Sequence, residues 1–335
     1  MTLQAFRILL VAMLSAVVLS IPAYWLTRRV RLLDIPGSAP HKSHRATVPV
    51  SGGVVILISL LLTGWASGAF ASATVRAILI PASIVFFFGL WDDFRRLSPL
   101  WKLSGQILAT MIMIWLGVQI RLFDQLPWLN IGITFLWMVG ITNAYNFVDS
   151  MDGLATGLAT LAAGFFALVT FDSNQADLSI LSTVLLGICI GVFYYTAVPA
   201  KYFLGDSGAQ YLGFLLAGLA IAYNPLGFLR IQSWYVPILL VGIPIFDTAL
   251  VVFSRLRRGR SIYQASLDHT YHRLVALGLD SNRAVLSMHF LALILGCIAF
   301  VALSLPPVPA NIVFAACLLC GLGGVLFLDS RRRWP

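Results

Sequence analysis

The stretch LATGLATLAAGFFALVTF, Leu154 to Phe171, decides the fold class. It holds no Asp, Glu, Lys or Arg. Coiled as an α-helix at about 1.5 Å per residue it is roughly 27 Å long, close to the ~30 Å of a bilayer's hydrocarbon core. Working outward, similar apolar runs occupy 3–26, 52–70, 75–91, 103–120, 130–148, 178–198, 209–224, 234–253, 286–305 and 309–328, making eleven in all. Barrel strands would be shorter and would alternate polar with apolar residues. Of the 335 residues, 59% are hydrophobic and only 10% charged, more apolar surface than a water-soluble domain can hide. The sequence therefore predicts an all-α, polytopic membrane protein with about 11 transmembrane helices, as a single integral membrane domain over 1–335. The run 3–26 is too long for a signal-peptide core and lacks a small-residue cleavage site, so it is read as a retained helix.

The net charge of +9 is placed for a membrane and not for nucleic acid. With the N-terminus outside, all of the 22 Lys and Arg except Arg7, Arg76, Arg121 and Arg230 fall in inner loops or the tail. That bias predicts an N-terminus outside and a cytoplasmic C-terminus, and the odd number of spans agrees. Cys189, Cys297, Cys317 and Cys320 all lie in apolar runs and are read as small packing residues.

The polar residues gather on the predicted inner side, in five clusters. The first is Pro40-His41-Lys42-Ser43-His44-Arg45, read as a phosphate-binding loop supplied with charge by Lys42 and Arg45, or as a basic loop against anionic lipid. The second is Asp92-Asp93 at the end of a span, where adjacent carboxylates repel unless a cation relieves them. In the third, Asn143, Asn146 and Asp149 recur every three residues and share a helix face, followed by Asp152-Gly153. Such groups at membrane depth must face protein or water. The fourth is Lys201-Tyr202-Phe203-Leu204-Gly205-Asp206-Ser207-Gly208. Its glycines allow close backbone approach, and its successive N–H groups are read as an anion-binding nest at the start of a helix. The fifth joins Asp247 to Asp268-His269-Thr270-Tyr271-His272-Arg273.

Acidic groups and cations on one membrane face suit a divalent ion and several phosphates. Magnesium takes carboxylates together with substrate phosphate oxygens, and manganese is a possible substitute. No close set of His and Cys is present for zinc. A transporter would place its polar groups near the midplane, on broken helices in both halves. One-sided polarity favours an enzyme fed from the cytosol.

Taken together and in this order, the clusters resemble the polyprenyl-phosphate N-acetylhexosamine-1-phosphate transferases. The marks are Lys42, His44, Pro49 and Gly52-Gly53; Asp92-Asp93; Asn143-x-x-Asn146-x-x-Asp149-x-x-Asp152-Gly153; Phe203-Leu204-Gly205-Asp206-Ser207-Gly208; and His269-x-x-His272. Val48-Pro49-Val50-Ser51 and His-Thr-Tyr-His depart from the branch that uses UDP-N-acetylmuramoyl-pentapeptide. The chain is more similar to the UDP-N-acetylglucosamine branch. Ser150 stands where the family has glycine, and Tyr271 where it has a middle histidine.

The resemblance implies transfer of an N-acetylhexosamine-1-phosphate, GlcNAc-1-phosphate by branch, from a UDP-sugar to undecaprenyl phosphate. UMP would leave, in the first membrane step of a bacterial cell-envelope glycan. It implies Asp206 and Asn146 as ligands of Mg²⁺, Asp149 and Asp152 on the nucleotide side with Lys201 nearby, and Asp92 and Asp93 beside the lipid phosphate. His269, His272 and Arg273 would meet the sugar or diphosphate. Lys42, His44, Arg45, Asn143, Phe203 and Gly205 complete the predicted substrate contacts. The predicted partners are UDP-N-acetylhexosamine, undecaprenyl phosphate and the lipid bilayer of the cytoplasmic membrane, with no nucleic acid; a homodimer is left open. Two other classes compete. Gly205-Asp206-Ser207-Gly208 fits the G-x-S-G of an intramembrane serine protease with His289 as base, and a lipid-linked sugar transporter is the second rival.

Overall fold

Each apolar run becomes a helix because a backbone in hydrocarbon has no water to bond and must satisfy its own N–H and C=O groups. The computed structural model describes residues 3–34, 47–225, 233–261 and 268–330. Lys42, His44 and Arg45 lie outside the described residues. In chain order the helices are α1 (Leu3–Arg29), α2 (Gly52–Ala66), α3 (Ala73–Arg95), α4 (Pro99–Trp115), α5 (Pro127–Val148), α6 (Leu154–Asp172), α7 (Ala176–Thr196) and α8 (Gly205–Ala222). They continue with α9 (Val236–Leu240), α10 (Gly242–Arg257), α11 (Thr270–Ala276), α12 (Ser281–Ala302) and α13 (Pro307–Ser330). The chain is nearly all-α. Beside the helices, β1 (Leu33–Asp34) pairs antiparallel with β2 (Val48–Pro49), and Val50 bridges to Phe203.

Among the described residues seven helices are long and apolar enough to cross a membrane: α1, α3, α5, α6, α7, α12 and α13. The shorter α2 is also apolar. The predicted run 52–70 ends as a helix at Ala66, and a longer run also breaks. The run 234–253 divides at Val241 into α9 and α10, where Pro237, Gly242 and Pro244 weaken the ladder of backbone bonds.

Helix α8 is the centre of the bundle. Every residue from Ser207 to Ala220 is buried, with α3 and α5 packed along it and α2 and α6 beside it. Helices α1, α12 and α13 lie outermost and expose large apolar side chains such as Trp25, Leu286, Phe290 and Leu319. In water so much contiguous apolar surface would drive association; in hydrocarbon it costs nothing. Helices α5 and α8 run antiparallel. The Trp137 indole N–H donates to the Ala217 carbonyl, and Gly213 lies against Thr142. Continued in that register, the end of α5 bearing Asn146 and Asp149 comes level with the start of α8. The fold thus brings two of the polar clusters to one end of the bundle.

Candidate active site

The start of α8 is built from its neighbours. Gly89 of α3 allows a close approach: a Cβ there would stand 2.6 Å from the Ser207 Cα. One turn on, the Asp93 carboxylate accepts from the Asp206 N–H at 2.8 Å and from the Ser207 N–H at 3.1 Å. It thereby satisfies two of the donors that a helix start leaves open. Gly205 takes a left-handed φ of 75°, and a Cβ there would meet Asp93 Oδ2 at 2.8 Å. The segment after β2 braces the same turn: Phe203 N–H donates to Pro49 O, Ser51 and Gly52 donate to Phe203 O, and Gly53 donates to Leu204 O.

This corrects one expectation. The N–H nest, read as a place for an anionic ligand, is occupied by Asp93, a carboxylate of the protein itself. Gly208 N is also closed off, lying 2.6 Å from where a Cβ on Gly53 would be. Phe203 and Gly205 accordingly shape the turn through their backbones.

With its amides taken, α8 presents the Asp206 side chain. Lys102 of α4 lies between two carboxylates, 2.5 Å from Asp206 Oδ2 and 2.9 Å from Asp92 Oδ2. The other Asp92 oxygen accepts from the Leu97 N–H at 2.5 Å. The two adjacent acids of α3 therefore part company: Asp93 turns to the helix start and Asp92 to the ammonium. Sequence reasoning counted Lys102 only as an inner-side charge. A signal for it existed, because Lys102, Gln106 and Thr110 repeat every four residues and mark one polar face of α4.

Gln106 carries that face inward. Its Nε2 donates to Gln210 Oε1 at 2.9 Å, and its Oε1 accepts from Asn143 Nδ2 at 2.7 Å. Gln106 and Gln210 are buried. The predicted stripe on α5 is thus tied at Asn143 to α4 and α8, with Asn146 and Asp149 further towards the site. Burial, and after it the negative charges of Asp93 and Asp152, push the Asp149 carboxyl up to about 8. Asp152 accepts from the Ala200 N–H at 3.0 Å. The neighbouring Lys201 lays its ammonium over the rings of Tyr194 and Tyr195, at 4.7 and 5.1 Å from their centroids.

The fifth cluster meets the end of α5 from the other side. The His269 ring lies 6.4 Å from that of Phe147, centroid to centroid. Its Nδ1 is 2.8 Å from Oδ2 of the fully buried Asp247. Tyr271 Oη is 2.7 Å from His272 Nε2 and also bonds the Ser150 side chain. The two departures from the family pattern therefore touch each other.

Arg273 does not join them. It is 0% exposed. Its guanidinium donates to the Asp268 and Leu328 carbonyls and pairs with Asp329 of α13. The expected substrate contact is replaced by a buried structural tie that Arg257 and Arg258 share. The protease rival loses its base as well. Ser207 is buried beside Gly53 and bonded to Asp93, while His289 Nε2 bonds the Leu154 carbonyl.

Among the described residues no three Asp, Glu, His or Cys side chains form a metal cage. The acidic side chains at this end of the bundle, those of Asp206, Asp92 and Asp149, offer oxygens, and Asn146 stands one turn before Asp149. That set suits a hard cation held by one or two carboxylates and completed by phosphate oxygens, and it is wrong for zinc.

Residues 75–224, which run from α3 through α8 and hold most of these groups, match Glycosyl transferase family 4. The chain is 30% identical over 328 residues to a decaprenyl-phosphate N-acetylglucosaminephosphotransferase of Mycolicibacterium smegmatis, covering 85% of this chain and 80% of that protein. It belongs to the polyprenyl-phosphate N-acetylhexosamine-1-phosphate transferases. A probable undecaprenyl-phosphate N-acetylglucosaminyl 1-phosphate transferase of Bacillus subtilis is 29% identical, over 87% of this chain and 83% of the relative. A phospho-N-acetylmuramoyl-pentapeptide-transferase of Enterococcus faecalis is 31% identical, over a shorter 69% of this chain and 77% of the relative. The relatives named for N-acetylglucosamine cover more of the chain, in line with the branch assigned from Val48-Pro49-Val50-Ser51. The transferase family thus has its polar groups here gathered around Lys102 and Asp206.

Proposed function

We propose that the protein transfers GlcNAc-1-phosphate from UDP-GlcNAc to undecaprenyl phosphate and releases UMP, at the cytoplasmic face of a bacterial inner membrane. The observation that carries this reading is Lys102 held between Asp92 and Asp206 where α3, α4 and α8 meet, in a chain of this family. In this reading the eleven apolar runs all span the bilayer, with the N-terminus outside. The N-acetylglucosamine-named relatives support the choice of sugar, and the inner-side charge bias supports the orientation.

An oxygen of the lipid phosphate attacks the β-phosphorus of the sugar nucleotide. The new P–O bond forms as the α–β anhydride bond breaks, and UMP takes the bonding electron pair. Three phosphates converge, so neutralising negative charge dominates the barrier. The acceptor monoester has its second pKa near 6 and is largely ionised at neutral pH, so no strong base is needed. Lys102 supplies a positive charge that can pass from the two carboxylates to the arriving phosphates. Asp92 keeps that ammonium aimed, and Asp93 fixes the start of α8 so that Asp206 stands at its tip. Asp149 and Asp152 flank the nucleotide side, and His269 and His272 lie by the sugar diphosphate. Mg²⁺, with Mn²⁺ as substitute, would be held by Asp206 and Asn146 and would add positive charge on the diphosphate.

The test is UMP release by the purified protein in detergent, with undecaprenyl phosphate and a panel of UDP-sugars. Release from UDP-GlcNAc, lost on adding EDTA and restored by Mg²⁺, is the expected result. Release from none of the panel overturns the reading.

A further inference from the structure

Asp247 has been given no role so far, yet it is a buried carboxylate in direct contact with His269. It lies in α10, 0% exposed, surrounded by a bundle that offers little solvation. Both of its oxygens are used. Oδ2 stands 2.8 Å from His269 Nδ1, and Oδ1 accepts from the Thr270 N–H at 2.6 Å. The His269 side chain keeps 13% of its surface open, and its ring stacks on Tyr271 with an interplanar angle of 11°. A buried carboxylate that grips one imidazole nitrogen settles which nitrogen carries the proton and where the other edge of the ring points.

We propose that Asp247 is the positioning residue of His269, holding the proton on Nδ1 and turning the Nε2 edge to the substrate diphosphate. The substrate side of this inference rests on the transferase reading above; the pairing itself does not. The second hydrogen bond makes the idea testable. The Thr270 N–H can only donate, so whatever occupies position 247 must keep an acceptor facing it. In Asp247→Asn the amide oxygen takes that place, and the amide nitrogen is left facing His269 Nδ1. A donor now meets Nδ1, which must give up its proton, and the neutral ring is forced into the Nε2–H form. The substitution preserves volume and the Thr270 bond, so the fold should be kept while the imidazole is inverted.

The experiment uses the full chain in detergent, labelled with ¹⁵N-histidine, with His269→Gln to assign the His269 signals among the five His. Wild type should show a protonated Nδ1 at neutral pH, and Asp247→Asn a bare Nδ1 with protonated Nε2. In UMP release, Asp247→Asn and His269→Ala should each fall on the order of 10²-fold. The double variant should be no slower than His269→Ala alone, because Asp247 acts through the ring. A protonated Nδ1 persisting in Asp247→Asn, or losses that multiply in the double variant, overturns the proposal. If wild type itself releases no UMP from any UDP-sugar, the transferase reading fails, and the ¹⁵N comparison still decides the pairing.

Discussion

The Lys102 ammonium lies 2.5 Å from the Asp206 carboxylate, joining α4 to the first turn of α8 across the mouth of the site. A second carboxylate, Asp92, holds the same ammonium at 2.9 Å. The ammonium is held by two side chains at once, and both of its contacts are ones that an arriving phosphate can take over. Lys102→Met should lower kcat for UMP release by roughly 10²–10³-fold, the scale of losing one charge-stabilising donor. Steady-state kinetics beside a thermal melt check this; a variant with unchanged kcat contradicts the assignment.

The adjacent acids Asp92 and Asp93 should fail differently. Asp93→Asn leaves an amide oxygen that can accept only one of the two N–H groups now bonded, and the other is left unpaired. A lost helix cap costs about 1 kcal/mol, so its melting midpoint should fall together with activity. Asp92→Asn should lose activity with its midpoint nearly kept. Melts of both variants in one detergent give the answer, and the reverse pattern would reassign the pair.

Asp149 sets a pH dependence whose sign is fixed. Its carboxyl is pushed up to about 8 by burial, with Asp93 and Asp152 adding repulsion, whereas an unfolded chain releases that proton near 3.9. Between those values the folded state binds the extra proton. The stability tied to it is complete below the unfolded value and drains away as pH rises through about 8. Asp149→Asn cannot ionise. Its melting midpoint relative to wild type should therefore climb steadily from mildly acidic to mildly alkaline pH; a flat difference across that range would contradict the assignment.

The buried tie at α13 predicts a stability effect with little kinetic content. Removing one partner of a buried ion pair costs about 3–5 kcal/mol because the other charge is stranded. Asp329→Asn should thus melt well below wild type. Arg273→Met combined with Asp329→Leu should recover part of that loss, while the KM for UDP-GlcNAc stays within about threefold in molecules that remain folded. If Asp329→Asn melts as wild type does, the tie carries no stability.

The helices were legible because each rests on a local property, a long apolar run. The inward tie of Asn143 was legible for the same kind of reason, its place in a fixed spacing. What escaped depends on rotation or on distance along the chain. Successive side chains on a helix point about 100° apart, and nothing local says which of Asp92 and Asp93 turns to α8. The N–H nest at Gly205-Asp206-Ser207 was correctly seen as a place for an anion, yet its occupant comes from another helix. Arg273 finds Asp329 far down the chain, with no neighbouring signal. The break at Val241 falls beside Gly242 and Pro244, inside a run whose apolar residues read as one span.

The arginine grip on Asp329 also bears on handling the protein. Three guanidiniums depend on a carboxylate in the last turn of α13. A fusion partner should be attached beyond Ser330. Any shortening that removes Asp329 should be judged first by yield and monodispersity, before its turnover is compared with that of the intact chain.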